Sequence, residues 1–526
     1  MTLLAAVLVS ALGGFIALCY EILWYRILGY VSGGPASTFG LLLGCYLSGL
    51  ALGAWGVALD TRRGGSTSAS SQLRGLAVLA LAANIVGYGL IPSTAAMATA
   101  GVWWITLPLV ALVAALLGVI LPLTTHYAVP ADKLAGSRLS LVYFGNIIGC
   151  AAGSFITGFV LMDVWPLARI ALAVALLGLV FTGGLVAISR PRFAIGGLWT
   201  AALVTAAVCL SQYNHVLYDQ LYEKLLYKTD HQSGLRFAQT VETRAGVVNV
   251  TADGHVFGGG VYDGMARSDL VDDRSDIIRV YALAAMHAGP REVLVIGLGS
   301  GAWAKIISAM PQVERVTVVE INPGYLTAIS RLPTGSILND PKVTVVIDDG
   351  RRWLLRHPTR RFDLIVSNTT FHWRAHATNL LSREFMEIVR AHLREGGVFY
   401  YNSTGSWDAV RTGLAVFHDG VRVMNFVAVS DSPIEFDADR WRSALLAMRI
   451  DEGPIFEMAD ERHRQRLDEV TTLARSLDRP AVPQGLERRE SVLRRYAQAG
   501  VISDDNMLSE WATILPRVWL PRASTR

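Results

Sequence analysis

The sequence predicts a two-part fold: an N-terminal α-helical transmembrane bundle, then a C-terminal α/β domain on a parallel sheet, with a small β-hairpin domain between them. Three observations carry this. The 526 residues are 52% hydrophobic and only 17% charged, against roughly 45–50% apolar and about 25% charged in soluble domains. The apolar excess lies before residue 212, while the charged residues crowd into the remainder. Beyond residue 290 apolar strands alternate with helices, the signature of crossover connections. Composition therefore excludes a wholly soluble protein and a bundle that is membrane-spanning throughout. A net charge of +4 is too small and dispersed to point to nucleic acid.

Residues 1–212 form the transmembrane helical domain. Seven apolar stretches, at 2–20, 38–59, 75–92, 102–123, 140–162, 167–188 and 194–211, are each about long enough to cross a bilayer as a helix, which satisfies its own backbone hydrogen bonds. The first runs into Tyr20, Glu21, Ile22, Leu23, Trp24, Tyr25 and Arg26, read as interfacial, so it is taken as a retained anchor. The spans carry almost no ionisable residues, which favours an anchor or a lipid-facing vestibule over a pump; Asn84 and Asn146 are read as interhelical hydrogen-bonders. Cys19, Cys45, Cys150 and Cys209 all fall here, and none has zinc or disulfide spacing.

Basic residues orient the bundle. Arg62, Arg63, Arg74, Lys133, Arg138, Arg190 and Arg192 follow the second, fourth and sixth candidates, whereas the opposite loops offer Arg26 and Arg169. This places the N-terminus inside. Seven spans would then put the second half outside. A short, non-spanning seventh candidate, with Gly196, Gly197 and Thr200, would return it to the cytoplasm.

Residues 213–236 are an amphipathic connector, with Leu217, Leu221, Leu225 and Leu226 at helical spacing. Residues 237–270 are the small β domain: Val247 to Thr251, the turn Asp253-Gly254, then His255 to Tyr262.

The donor-binding domain spans 271–450. Val293 to Ile296 is a buried strand followed at once by Gly297, Gly299, Ser300 and Gly301, then a helix from about Ala302 to Met310. Glycines let the backbone approach a ligand, and the helix start offers N–H groups. The next strand ends in Glu320, placed to accept from ribose hydroxyls; a third ends in Asp348-Asp349-Gly350, and a fourth in Ser367-Asn368-Thr369-Thr370. Polar clusters at the carboxyl ends of strands are where open α/β sheets bind ligands, and together they predict an adenosine-type cofactor. The loop is not GxGxxG and no Walker lysine follows the glycines, so dinucleotide and triphosphate readings fall behind.

Val293 to Gly301, Val318 to Pro323, Val345 to Gly350, Phe362 to Val366, Leu381 to Phe385 and Gly396-Gly397 together resemble spermidine synthases. The first half, with Tyr20-Glu21 and Gly49 to Gly53, is similar to the multispan region of bacterial membrane-bound members of that group. The resemblance implies a spermidine synthase/class I methyltransferase-like Rossmann sheet and an S-adenosylmethionine or decarboxylated S-adenosylmethionine co-substrate, without metal. It implies that Gly297, Gly299, Ser300 and Gly301 line the donor, Glu320 holds the ribose, and Asp348, Asp349 and Gly350 meet the adenine.

The acceptor side departs from that pattern. Three acids of the family stand here as Ser300, Asn368 and Phe371. In their place is Phe371-His372-Trp373-Arg374-Ala375-His376, so Asn368, His372, Arg374 and His376 are the catalytic candidates: histidine as base, arginine as an anion clamp. Asp263 is a weaker candidate, as is Asn402 at the site's edge.

The expectation is a membrane-embedded transferase moving an aminopropyl group by family default, with methyl or aminocarboxypropyl transfer and a non-catalytic nucleoside-binding module as alternatives. The expected partners are a small-molecule or lipid acceptor and the membrane, with a homo-oligomer allowed. The expected location is a bacterial inner membrane with a cytoplasmic C-terminal domain. Residues 451–526 are read as a solvated helical accessory tail.

Overall fold

The computed structural model describes residues 1–62, 69–368, 370–475 and 486–511. Arg63, Thr369 and parts of the C-terminal tail, all named above, lie outside the described residues. Contacts divide the chain into two units. The first comprises Met1–Gly34, Thr38–Arg236 and Glu242–Arg244; the second comprises Pro35–Ser37, Phe237–Val241 and Ala245–Arg526.

The first unit contains seven helices long and apolar enough to cross a membrane: α1 Leu3–Ser32, α2 Ser37–Thr61, α3 Leu73–Thr99, α4 Trp103–Ala128, α5 Ala135–Val164, α6 Leu167–Ile188 and α7 Phe193–Leu217. Small residues set their spacing. A Cβ on Gly145, Gly149 or Gly153 of α5 would run into the backbone of Val7, Ala11 or Phe15 of α1, and one on Gly49 or Gly53 of α2 would run into Ala111 or Ala115 of α4. Close backbone approach of this kind is how apolar helices associate where burial supplies little drive. Asn84 acts structurally: it accepts from Tyr20 Oη at 2.7 Å and donates to Ala175 O at 2.8 Å. Asn146 likewise donates to Ser10 O at 3.2 Å.

α1 continues to Ser32, and within it Tyr20, Leu23 and Trp24 are buried, with Trp24 Nε1 donating to Gly87 O at 3.1 Å. Two readings of this half need correction. The seventh helix is 25 residues long, so shortness is no ground for excluding it as a span. The connector is not one surface helix. Gln220 takes a left-handed φ of 52°, ending the run, and α8, Leu221–Tyr227, buries Leu221, Leu225 and Leu226. Of the named leucines only Leu217 stays exposed, at 43%.

The second unit opens with a four-stranded sheet in sequential order: β1 Gln239–Thr243, β2 Gly246–Val250, β3 His255–Gly258 and β4 Val261–Met265. The Asp253-Gly254 turn joins β2 to β3 as expected. The expected strand from His255 to Tyr262 is instead two, because Gly259 and Gly260, at φ 57° and 80°, fold it back on itself.

Next comes the mixed sheet. Its strands are β5 Glu292–Ile296, β6 Arg315–Glu320, β7 Val343–Ile347, β8 Phe362–Ser367, β9 Leu393–Asn402, β10 Asp419–Val423, β11 Phe426–Ser430 and β12 Leu486–Arg488, in the order β12-β10-β11-β9-β8-β5-β6-β7. The five strands from β5 to β9 are parallel, and β10 to β12 pair antiparallel. This is a Rossmann-like, methyltransferase-type sheet. The two-residue period divides its core: Val293 and Val295 pack on one face with Trp303 and Ile306, while Leu294 and Ile296 pack on the other with Leu354 and Phe385. Helices follow β5, β6 and β7 at once: α9 Ala302–Ser308, α10 Gly324–Ile329 and α11 Gly350–Arg356. Because β5 lies between β6 and β8, the winding reverses there, opening a crevice at the strands' carboxyl ends.

The tail is not a solvated appendage. β12 pairs with β10, Val492 and Ile502 are buried in the core, and Glu510 is 2% exposed. Phe456, Leu467, Val470, Leu486, Val492 and Ile502 belong to the sheet's own core, which is why the charged composition around them misleads.

Candidate active site

The crevice begins at the glycine turn after β5. Gly297, Gly299 and Gly301 have φ of 92°, 52° and 77°, a region that costs other residues roughly 1–2 kcal/mol each. They also lack room for side chains: a Cβ on Gly297 would sit 3.3 Å from Asn368 O, one on Gly299 3.1 Å from Asp263 O, and one on Gly301 2.9 Å from Ile329 Cδ1. The turn thus gathers the end of β8 and the β4 hairpin onto one backbone cradle. Ser300 is buried, and its carbonyl accepts from Thr334 Oγ1 at 2.6 Å.

Glu320 stands at the end of β6, buried. Its Oε2 accepts from Leu298 N at 2.7 Å and its Oε1 from Asn322 N at 2.8 Å. Burial pushes its carboxyl up to about 7; the backbone donors of Asn322 and Leu298 oppose the shift and the charge of Asp263 adds to it. Each oxygen keeps a second lone pair for a ligand hydroxyl.

Asp263 faces the same turn. Its Oδ2 accepts from the Tyr325 hydroxyl, and a Cβ on Gly258 would collide with both groups, so glycine is required beneath them. Burial raises the Asp263 carboxyl; the nearby Arg374 cation and the Tyr325 hydrogen bond pull the other way. Arg374 donates through Nη1 to Gly258 O at 3.2 Å and to Thr370 Oγ1 at 3.0 Å.

The ends of β8 and β9 join a polar chain anchored by the Arg279 guanidinium. Arg279 Nη1 donates to Asn425 Oδ1 at 2.7 Å, Asn425 Nδ2 to Asn402 Oδ1 at 2.9 Å, and Asn402 Nδ2 to Asn368 Oδ1 at 3.2 Å. Thr404 N also donates to Asn402 Oδ1, while Thr404 Oγ1 accepts from His372 N, each at 2.8 Å. Burial lowers the His372 imidazole's affinity for a proton, opposed by Asp408, and its buried Nδ1 has no hydrogen-bond partner. Ser367 Oγ, at the end of β8, is likewise buried and unpartnered. Two buried polar atoms therefore stand without a protein partner at and just after the end of β8.

The structure therefore gathers Gly297, Gly299, Ser300, Gly301, Glu320, Asn368, Arg374 and, through Thr404, His372. Other expected residues are otherwise engaged. Asp348 receives Arg352 Nε at 2.6 Å, and although burial pulls its carboxyl upward, Arg352 and Arg356 hold it below the usual carboxylate range. Asp349 caps α11, its Oδ1 accepting from Arg352 N at 2.8 Å. Gly350 is obligatory, since a Cβ there would lie 2.6 Å from Ile296 Cγ2. His376 is exposed, at φ 66°, its backbone N–H held by Glu510 Oε1 at 2.8 Å; Glu510 also accepts from Thr378 N and Thr378 Oγ1. Tyr325, Thr404 and Glu510 were not expected in this role, and each reaches the site across a distance in sequence that no local pattern encodes. Among the described residues no cluster of three or more His, Cys, Asp or Glu could hold a metal.

Residues 277–411 match the family described as the spermine/spermidine synthase domain. The polyamine aminopropyltransferase of Desulforudis audaxviator is 29% identical over 163 residues, covering 30% of this chain and 58% of that protein. The enzyme of the same description from Streptococcus pneumoniae is 31% identical over 137 residues, covering 26% and 47%. The chain spans about half the length of these curated relatives. A spermidine synthase solved with the transition-state analogue AdoDATO overlaps 50% of this chain and 89% of its own, at 17% identity and a TM-score of 0.39.

Proposed function

We propose, on the premise that residues 277–411 constitute a spermine/spermidine synthase domain, that this chain is a membrane-embedded aminopropyltransferase. It takes the aminopropyl group of decarboxylated S-adenosylmethionine and passes it to an amine. The observation that carries this reading is the cradle at the β5–β8 reversal, where three left-handed glycines abut Asp263 and Asn368 and Glu320 lies at the end of the next strand.

In the reaction the amine nitrogen attacks the methylene carbon beside the sulfonium; the C–S bond breaks, methylthioadenosine leaves, and the amine loses a proton. Here Gly297, Gly299, Ser300 and Gly301 hold the methionine-derived part, Glu320 takes the ribose hydroxyls, and Asp349 with Gly350 borders the adenine. Asp348 orders that turn through its own ion pairs. Asp263 supplies the carboxylate that Ser300, Asn368 and Phe371 cannot, pairing with the cationic amine. His372 is the base: burial favours its neutral imidazole, the form that suits proton removal near neutral pH. Arg374 and Asn368 fix the rim, and His376 belongs to the turn that Glu510 holds.

The seven long apolar helices support anchoring in a bacterial inner membrane. Donor supply places the second unit in the cytoplasm, which requires one of the seven to lie along the surface. A C-terminal alkaline phosphatase fusion should be inactive; an active fusion contradicts this placement. For the site, His372→Ala should abolish turnover while calorimetric donor binding persists. Turnover equal to the parent's removes His372 as base.

A further inference from the structure

We infer that the crevice selects an acceptor amine whose far end is an oxygen, hydroxyl or carboxylate, and not a second ammonium. Arg279 and Asn402 impose this choice as positioning residues, by fixing Asn368 with its amide N–H groups as the face offered to a ligand. The inference rests on the aminopropyltransferase reading above.

The polarity of the amide chain follows from its two anchors. Arg279 carries donors only. Its Nε and Nη2 are taken by the carbonyls of Asp276 and Ser275, each at 2.7 Å, and the guanidinium lies 5.4 Å from the centre of the Phe426 ring, so it is fixed in place. The atom of Asn425 that meets Nη1 is therefore oxygen, which turns Asn425 Nδ2 onto Asn402 Oδ1. The Thr404 N–H, a second group that cannot accept, independently requires the same oxygen of Asn402. Asn402 Nδ2 is left to donate to Asn368 Oδ1. Turning any one of these amides over would set donor against donor and leave partly buried polar groups unpaired, which costs more than a hydrogen bond is worth.

Asn368 borders the crevice: it is half-buried, and its carbonyl oxygen lies 3.3 Å from where a Cβ on Gly297 would stand. With its Oδ1 engaged, and with no acceptor for its Nδ2 among the described residues, this position offers a ligand N–H donors. Arg374, another donor-only group, binds Thr370 Oγ1 on the same segment at 3.0 Å. An ammonium also carries donors only and finds no partner in either group, whereas a hydroxyl or carboxylate oxygen accepts directly. Asp263 remains for the attacking end of the amine.

Calorimetry on the full chain holding methylthioadenosine, with length-matched aminobutanol, aminobutyrate and diaminobutane as titrants, reads the selectivity. At least one oxygen-ended amine is expected to bind about tenfold tighter than diaminobutane, and which one does so distinguishes a hydroxyl from a carboxylate end. Asn402→Asp keeps both accepting contacts and cannot donate, so Asn368 turns its Nδ2 onto the new carboxylate and offers Oδ1 to the ligand. The preference should then fall to parity or reverse toward diaminobutane. Asn368→Asp, which makes the same change at the ligand itself, repeats the test if Asn402→Asp fails to fold. A merely structural role would weaken all three amines alike and leave their ratio as in the parent; that result, or a parent that prefers diaminobutane, overturns the inference. Methylthioadenosine release from decarboxylated S-adenosylmethionine tests the premise separately. None from any amine overturns both, whereas release with a preference for the diamine overturns the inference alone.

Discussion

The Tyr325 hydroxyl donates to the Asp263 carboxylate from a residue 62 positions away, and Gly258 leaves the space in which they meet. This contact ties the β3–β4 hairpin to the helix after β6, placing an acid beside the glycine turn.

Removing that donor should therefore act on the acceptor. A hydrogen bond to a charged group is worth about 1.5–3 kcal/mol, so Tyr325→Phe should lower kcat/KM for the amine by about ten- to a hundredfold. Steady-state kinetics together with donor calorimetry check it; equal losses in donor affinity would move Asp263 to the nucleoside side.

Gly299→Ala places a Cβ at φ 52° and 3.1 Å from Asp263 O. It should cost roughly 1–2 kcal/mol of stability and abolish measurable donor binding. Calorimetry and a denaturant melt on the same sample separate the two effects.

Glu320 makes stability depend on pH. Its folded pKa of about 7 lies above the ordinary carboxylate value. Its contribution is full below pH about 4 and is lost as pH rises through 7. The second unit's melting temperature should thus fall between pH 5 and 8 more steeply in the parent than in Glu320→Gln. Parallel slopes would remove Glu320 as the cause.

Glu510 holds the 376–378 turn through three hydrogen bonds. Glu510→Ala leaves the buried Thr378 N–H and hydroxyl unpaired, a loss of about 1–3 kcal/mol per group. Limited proteolysis should then cut near His376 in the variant and not in the parent.

The sequence makes the donor side legible because its signals are local: a strand, a glycine turn, a helix, and an acid at the next strand's end all lie between Val293 and Glu320. It obscures what contacts across the chain decide. Tyr325 looks like any helical aromatic until Asp263 is placed beside it, and Glu510 sits in a charged tail that gives no sign of reaching Thr378. Asp349 has a local role as a helix cap that strand-end acids commonly fill. The Asp253-Gly254 turn is legible, whereas at Gly259-Gly260 two left-handed glycines admit a turn that the apolar flanks conceal.

The central claim is tested most directly by incubating the purified full chain with decarboxylated S-adenosylmethionine and a panel of primary amines, with S-adenosylmethionine as the comparison donor, and measuring methylthioadenosine. The account predicts amine-dependent methylthioadenosine from the decarboxylated donor, lost in His372→Ala. Adenosylhomocysteine from S-adenosylmethionine, or neither by-product with any amine, would contradict it.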